Sequence, residues 1–133
     1  MSFPDTARLM SELDYVRIHR LLPQRGVPAG LAELLNEAEL LPPRDIPAHV
    51  ATMHSHLLVE DPATGVGQEL TLSYPIDADP SQGRLSVLSP AGTSLLGLSE
   101  GEVARWQTPE GRPQALRLVR ILYQPEASGD YLR

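Results

Sequence analysis

His54 and His56 are two residues apart, a spacing that could do chemistry. On a β-strand, side chains at i and i+2 share a face, so an H-x-H pair can offer two nitrogens to one metal. A zinc site needs at least one more ligand. The chain has four histidines, scattered acids and no cysteine to supply it, so the pair reads as two exposed strand histidines. Asp77 and Asp79 lie between Pro75 and Pro80. They could bind a cation weakly, but turn chemistry explains them as well. Glu33 and Glu37, four apart, share one helical face, and a solvated face is the commoner state of such a pair. No nucleophile elbow, P-loop or dinucleotide fingerprint is present. No catalytic residue, metal site or cofactor is assigned.

The densest local pattern is GRLSVLSPAGTSLLGLSEGE, residues 83–102. A β-type run, Arg84 to Leu88, meets a corner at Ser89-Pro90-Ala91-Gly92, and Leu95-Leu96-Gly97 follow. Pro90 fixes φ and Gly92 permits a tight path. The spacing supports a strand, a corner and a short helical turn. The same corner is also a candidate surface for a partner, with Leu95 and Leu96 divided between core and interface.

The elements that hold this corner fall into two regions that separate near residue 45. The first, residues 1–45, reads as helices. Ser11 with Asp14 three residues on is a variant capping box. Leu13, Val16, Ile18, Leu21 and Leu22 supply an apolar side that Pro23 ends. Pro23 to Gly30 is a turn-rich connector, with Pro28 suited to a first helical turn. Leu31, Leu34, Leu35, Ala38 and Leu41 then form a helical stripe. The expectation is a short antiparallel helical hairpin.

The second region, residues 46–133, reads as about five strands and one short helical segment, without a βαβ rhythm. Strands are expected over Val50–Val59, around Leu70–Tyr74, over Arg84–Leu88, over Val103–Gln107 and over Gln114–Tyr123. On the last, Leu116, Leu118 and Leu122 should share a face. QPEASGDYLR reads as a tail. The fold class is α+β, a helical appendage on an antiparallel β module.

Composition narrows the partner. The net charge is −6, from 17 acids against 11 bases, and every base is arginine, spread along the chain. Binding to nucleic acid through phosphates needs a basic stripe, and none is present. A protein partner with a basic surface fits better. No apolar run approaches the length of a membrane helix, and a cytoplasmic setting is expected.

The stretch from Asp79 to Glu102 resembles the C-terminal domain of the bacterial Gre transcript cleavage factors. Asp79, Gly83, Leu85-Ser86, Ser89-Pro90, Leu95-Leu96-Gly97 and Gly101-Glu102 fall in the places of that family's pattern. The likeness covers most of residues 46–125. Glu102 stands where Asp is usual, and Thr93-Ser94 where Arg-Ala is frequent. Ile46-Pro47-Ala48-His49, LSPAGTSLLGL and YQPEASGDYL are similar to a branch of the family described as regulators of nucleoside diphosphate kinase.

The resemblance implies an FKBP-like C-terminal domain and a short N-terminal coiled coil. It also implies a partner, the rim of the RNA polymerase secondary channel, gripped by the C-terminal domain. The implied contact candidates are Asp79, Ser89, Pro90, Ala91, Gly92, Leu95, Leu96 and Gly97. Gre factors carry acidic residues at the tip of a long coiled coil, where they hold a catalytic Mg²⁺. Here the second helix, read to Leu41, spans only about 20 Å. The connector has no Asp or Glu, and its tip candidates are Gln24 and Arg25. An arginine cannot ligate a hard cation that wants oxygen. Binding without cleavage is the expectation. The alternative is an interaction protein that regulates nucleoside diphosphate kinase and nucleotide metabolism. Prolyl isomerase activity is a weaker one, since Phe3, Trp106 and four tyrosines are scattered, not gathered in one segment.

Overall fold

Ser11 opens the first helix as its spacing predicts: its Oγ accepts the Asp14 N–H at 2.9 Å. A computed structural model of the chain describes residues 8–22, 27 and 29–130. Helix α1, Glu12–Leu21, has Glu12 and Asp14 in its first turn and His19 and Arg20 in its last, charges that complement the helix dipole. Its buried face differs from the expected one. Ile18 is fully buried and Asp14 lies one turn before it, while Val16 and Leu21 are exposed. Positions i and i+4 share a face, but a search for apolar residues passes over a carboxylate there.

Helix α2, Ala29–Glu37, buries Leu31, Leu34 and Leu35, the expected stripe. It ends sooner than the periodicity suggests. Leu41 belongs to a strand, β2 (Glu39–Leu41), which pairs in parallel with β1 (Leu9–Ser11). A straight antiparallel hairpin would leave its flanks antiparallel. The parallel pair does not fit a straight hairpin, and β1, α1, α2 and β2 follow one another as a strand–helix–helix–strand unit. The tip candidates Gln24 and Arg25, and Pro28, lie outside the described residues.

The remaining strands are β3 (His56–Glu60), β4 (Gly67–Ser73), β5 (Arg84–Ser86), β6 (Val103–Gln107) and β7 (Pro113–Tyr123). They form one sheet in the order β5-β4-β3-β7-β6. Every neighbouring pair is antiparallel except β4–β5, which is parallel. The expected all-antiparallel module is corrected at that edge. Two 3-10 turns, Pro75–Asp77 and Pro80–Gln82, carry the chain back so that Arg84 re-enters beside Thr71.

Strand β7 also departs from strict alternation. Its pairing with β3 jumps from Leu118 to Arg120 and from Ile121 to Tyr123. Val119 and Leu122 are the residues skipped, and both are exposed. A bulge inserts one unpaired residue and inverts the facing of the residues beyond it. Ile121 therefore packs against the core and Leu122 leaves it, the reverse of the period-two reading.

The core joins both regions. Met10, Ile18, Leu31 and Leu34 share one cluster with Met53, Leu57, Leu72, Leu95, Leu96 and Leu118. Burying each large aliphatic side chain contributes about 2 kcal/mol, so the helices are held on the sheet by the force that holds the sheet together.

Candidate functional site

The Ser89–Gly92 corner is built by short-range polar contacts and one close backbone approach. Ser89 is the N-cap of helix α3, Pro90–Leu95, with Pro90 in its first turn. Its Oγ accepts the Gly92 N–H at 3.1 Å and donates to the Ser86 carbonyl at 2.7 Å. Thr93 Oγ1 donates to the Val87 carbonyl at 2.6 Å. These bonds lock α3 against the end of β5. Thr93 is one of the departures from the Gre pattern, and its hydroxyl is what makes the last of them. Replacing Ser89 with alanine removes a cap worth about 1 kcal/mol. A urea titration should show a lower midpoint with an unchanged slope.

Burial sorts the candidate contact residues. Leu95 and Leu96 are 0% and 1% exposed, so both belong to the core and neither presents a surface. Gly92 and Gly97 are buried as well. Gly97 has φ of +85°, and a Cβ there would stand 3.0 Å from the Leu9 carbonyl oxygen. The Leu9 N–H also donates to the Gly97 carbonyl at 3.3 Å. Arg8 donates from Nε to the Leu96 carbonyl at 3.0 Å and from Nη2 to the Thr93 carbonyl. Burial lowers the pKa of this guanidinium, while Glu102 acts to raise it. The N-terminal strand thus closes the C-terminal end of α3. Pro90 is exposed and Ser89 and Ala91 are half-buried. Of the corner's four residues, these three are the accessible ones. Beside them lies a cleft of about 310 Å³ whose lining includes Pro90, Arg105, Trp106 and Gln107.

Asp79 and Glu102 shape turns. Asp79 Oδ1 accepts from Ser81 N–H at 3.1 Å and from Ser81 Oγ at 2.6 Å, and Arg84 stands 3.8 Å from its other oxygen. The Ser81 hydroxyl, chiefly, holds the Asp79 carboxyl below its ordinary pKa. Glu102 Oε1 accepts the Ser99 N–H at 2.7 Å, so the longer acid still caps the turn before β6.

The H-x-H pair is not arranged as a strand pair. His54 precedes β3 with φ of +66°, and its ring meets Tyr74 edge-on at 5.3 Å. His56 pairs with Glu69 at 2.8 Å. The positive φ at His54 breaks the alternation on which a shared face depended. Among the described residues no group of three or more His, Asp or Glu gathers as metal ligands do. No helix among them is long and apolar enough to cross a membrane.

Comparison with known proteins gives matches to both parts of the chain. The profile of the family "Transcription elongation factor, GreA/GreB, C-term" matches residues 46–123. The "Regulator of nucleoside diphosphate kinase" of Escherichia coli K12 is 37% identical over 129 residues, covering 93% of this chain and 95% of that protein. "Transcription elongation factor GreA" of Syntrophobacter fumaroxidans is 40% identical over 81 residues, which are 61% of this chain and 52% of that protein. Among solved structures, "Prokaryotic transcription elongation factor GreA/GreB from Nitrosomonas europaea" superposes with a TM-score of 0.74 at 34% identity. That match covers 90% of this chain and all of the other.

Proposed function

Because this chain belongs to the GreA/GreB family of transcription elongation factors, we propose that it is a non-catalytic regulator that docks on RNA polymerase near the secondary channel. The C-terminal domain, residues 46–133 with an FKBP-like topology, makes the contact. The N-terminal unit, residues 1–45, whose helices pack on the core of the sheet, does not stimulate transcript cleavage. The protein competes with Gre factors for the same site in the cytoplasm. The observation that carries this reading is the pairing of a Gre-type corner with a connector, Pro23 to Gly30, that has no carboxylate. The corner is seated on the core by Gly92, Thr93, Leu95 and Leu96, with Ser89, Pro90 and Ala91 turned to the surface and Asp79 fixing the neighbouring loop.

A pull-down of core RNA polymerase tests the contact. Pro90→Arg adds bulk and a positive charge at an exposed first-turn position, opposite a partner surface that is basic in this reading. The variant should melt within a few degrees of the parent and bind at least about tenfold more weakly, a change of ~1.4 kcal/mol. Full binding by a folded Pro90→Arg variant would remove the corner from the interface.

The name of the Escherichia coli relative favours a second reading, an interaction protein that regulates nucleoside diphosphate kinase. No nucleotide-binding motif supports a direct action, and the effect in this reading runs through transcription. A stoichiometric change in turnover when the two purified proteins are mixed would favour the direct form. Prolyl isomerase activity rests on fold analogy alone.

A further inference from the structure

Asp14 is a carboxylate in the interior. It is 4% exposed, on a helix that the rest of the core treats as an apolar face. Its backbone N–H is taken by the Ser11 cap. Its side chain is held by Ser11, and Oδ2 also accepts the Met53 N–H at 3.1 Å, which joins α1 to the turn before β3.

A second carboxylate stands at the same junction. Glu126, on the turn after β7, accepts the Thr52 hydroxyl at 2.7 Å. Thr52 is held in turn by Ser55, whose Oγ accepts the Thr52 N–H at 2.9 Å. Three segments distant in sequence therefore meet through Asp14, Thr52 and Glu126. The groups that act on one another here are Arg17 from α1, Tyr74 from the end of β4, and Glu126. His54 stands behind Tyr74 with its ring edge-on to the phenol.

A buried charge with a like charge beside it is costly unless it is neutralised. The Met53 N–H, Ser11 and Arg17 favour the ionised form, but burial outweighs them, with Glu126 second, and the Asp14 carboxyl is pushed up to about 7. We propose that Asp14 is a proton-operated latch between α1 and the sheet: protonated, it holds α1 down on the Thr52–Ser55 turn, and ionised, it faces the like charge of Glu126 and α1 loosens.

The direction follows from linkage. The docked carboxyl keeps its proton to about pH 7, whereas an undocked aspartate releases it near 3.8. Docking is therefore strongest below 3.8, weakens as the pH rises towards 7, and levels off above that.

The Met53 amide reports the latch directly. In the full chain, its hydrogen-exchange protection factor, corrected for intrinsic exchange, should fall about tenfold between pH 6 and pH 8. Asp14→Asn keeps an oxygen for the Met53 N–H and carries no charge, so its protection should not change over that range. Glu126→Gln removes the like charge and should move the wild-type midpoint to lower pH. A direct carboxyl titration of the wild type by NMR covers the case in which Asp14→Asn fails to fold. Three results would overturn the latch: pH-independent protection in the wild type, the same fall persisting in Asp14→Asn (which would point to His54), or an Asp14 titration near 3.8.

Discussion

Replacing Gly92 with alanine is expected to destabilise the protein by about 3 kcal/mol or more, the upper range for overpacking a tight core, and to lower its melting temperature by on the order of 10 °C. The cause is crowding. A Cβ at residue 92 would lie 2.1 Å from the Ser86 carbonyl oxygen, 2.9 Å from the Ser86 carbonyl carbon and 3.1 Å from Ser89 Oγ. Two of these three are backbone atoms of β5, which is held by its pairing with β4, and cannot swing aside as a side-chain tip can. Helix α3 would have to lift off the sheet, stretching the Thr93–Val87 and Ser89–Ser86 hydrogen bonds. Gly101 and Gly111 provide the control. Their φ values are +92° and +85°, but nothing lies within 4 Å of a Cβ at either position. Alanine there should cost only about 1–2 kcal/mol, from the left-handed conformation alone. Thermal melts of the three variants separate contact from conformation, and equal losses at all three would contradict the packing described for the corner.

The second large effect concerns catalysis. Added to stalled elongation complexes with Mg²⁺, the protein is expected to leave the RNA unshortened. Metal-assisted hydrolysis needs oxygen ligands to hold the ion and orient water, and Pro23 to Gly30 supplies no carboxylate. Reach is a second obstacle. Helices α1 and α2 contain 10 and 9 residues, or roughly 15 Å each at ~1.5 Å per residue. Gln24→Asp with Arg25→Glu supplies the acids and leaves that length unchanged. A misplacement of ~1 Å can cost about 10²-fold in rate, and missing whole turns of ~5.4 Å cost far more. The double variant should therefore bind polymerase and still not cleave. Extending both helices by matching turns, with the acids in place, should restore some shortening. Cleavage by the unmodified protein would overturn the non-catalytic reading, whereas cleavage by the short, acid-tipped variant would overturn only the argument from reach.

Much of the corner was legible in the residues. A corner at Ser89–Gly92 followed by a short helical turn was read from Pro90, which fixes φ, and Gly92, which permits a tight path; these are local requirements that leave local signatures, whereas the Ser89 cap emerged only from the structure. Strand β6 spans the expected Val103–Gln107, and Ser11 caps α1 as its spacing predicts. What the sequence concealed depends on distant partners. Strands β1, β2 and β5 have three residues each, too few for a period, and parallel pairing is set by where the chain returns. The bulges at Val119 and Leu122 arise between β3 and β7, so neither strand announces them alone. Leu95 and Leu96, adjacent on a short helix, looked divisible between core and surface. The closure of α3 by Arg8 and Leu9 buries both. Asp14 was legible as a capping residue but not as a buried acid, because its acceptor role is towards Met53, distant in sequence.

A fluorescence titration of the labelled protein with core RNA polymerase, followed by addition of a Gre factor, tests the docking most directly. The expected result is saturable binding at or below micromolar protein, reversed as the Gre factor occupies the shared site. No saturable binding in that range, or binding that a Gre factor does not displace, would contradict it.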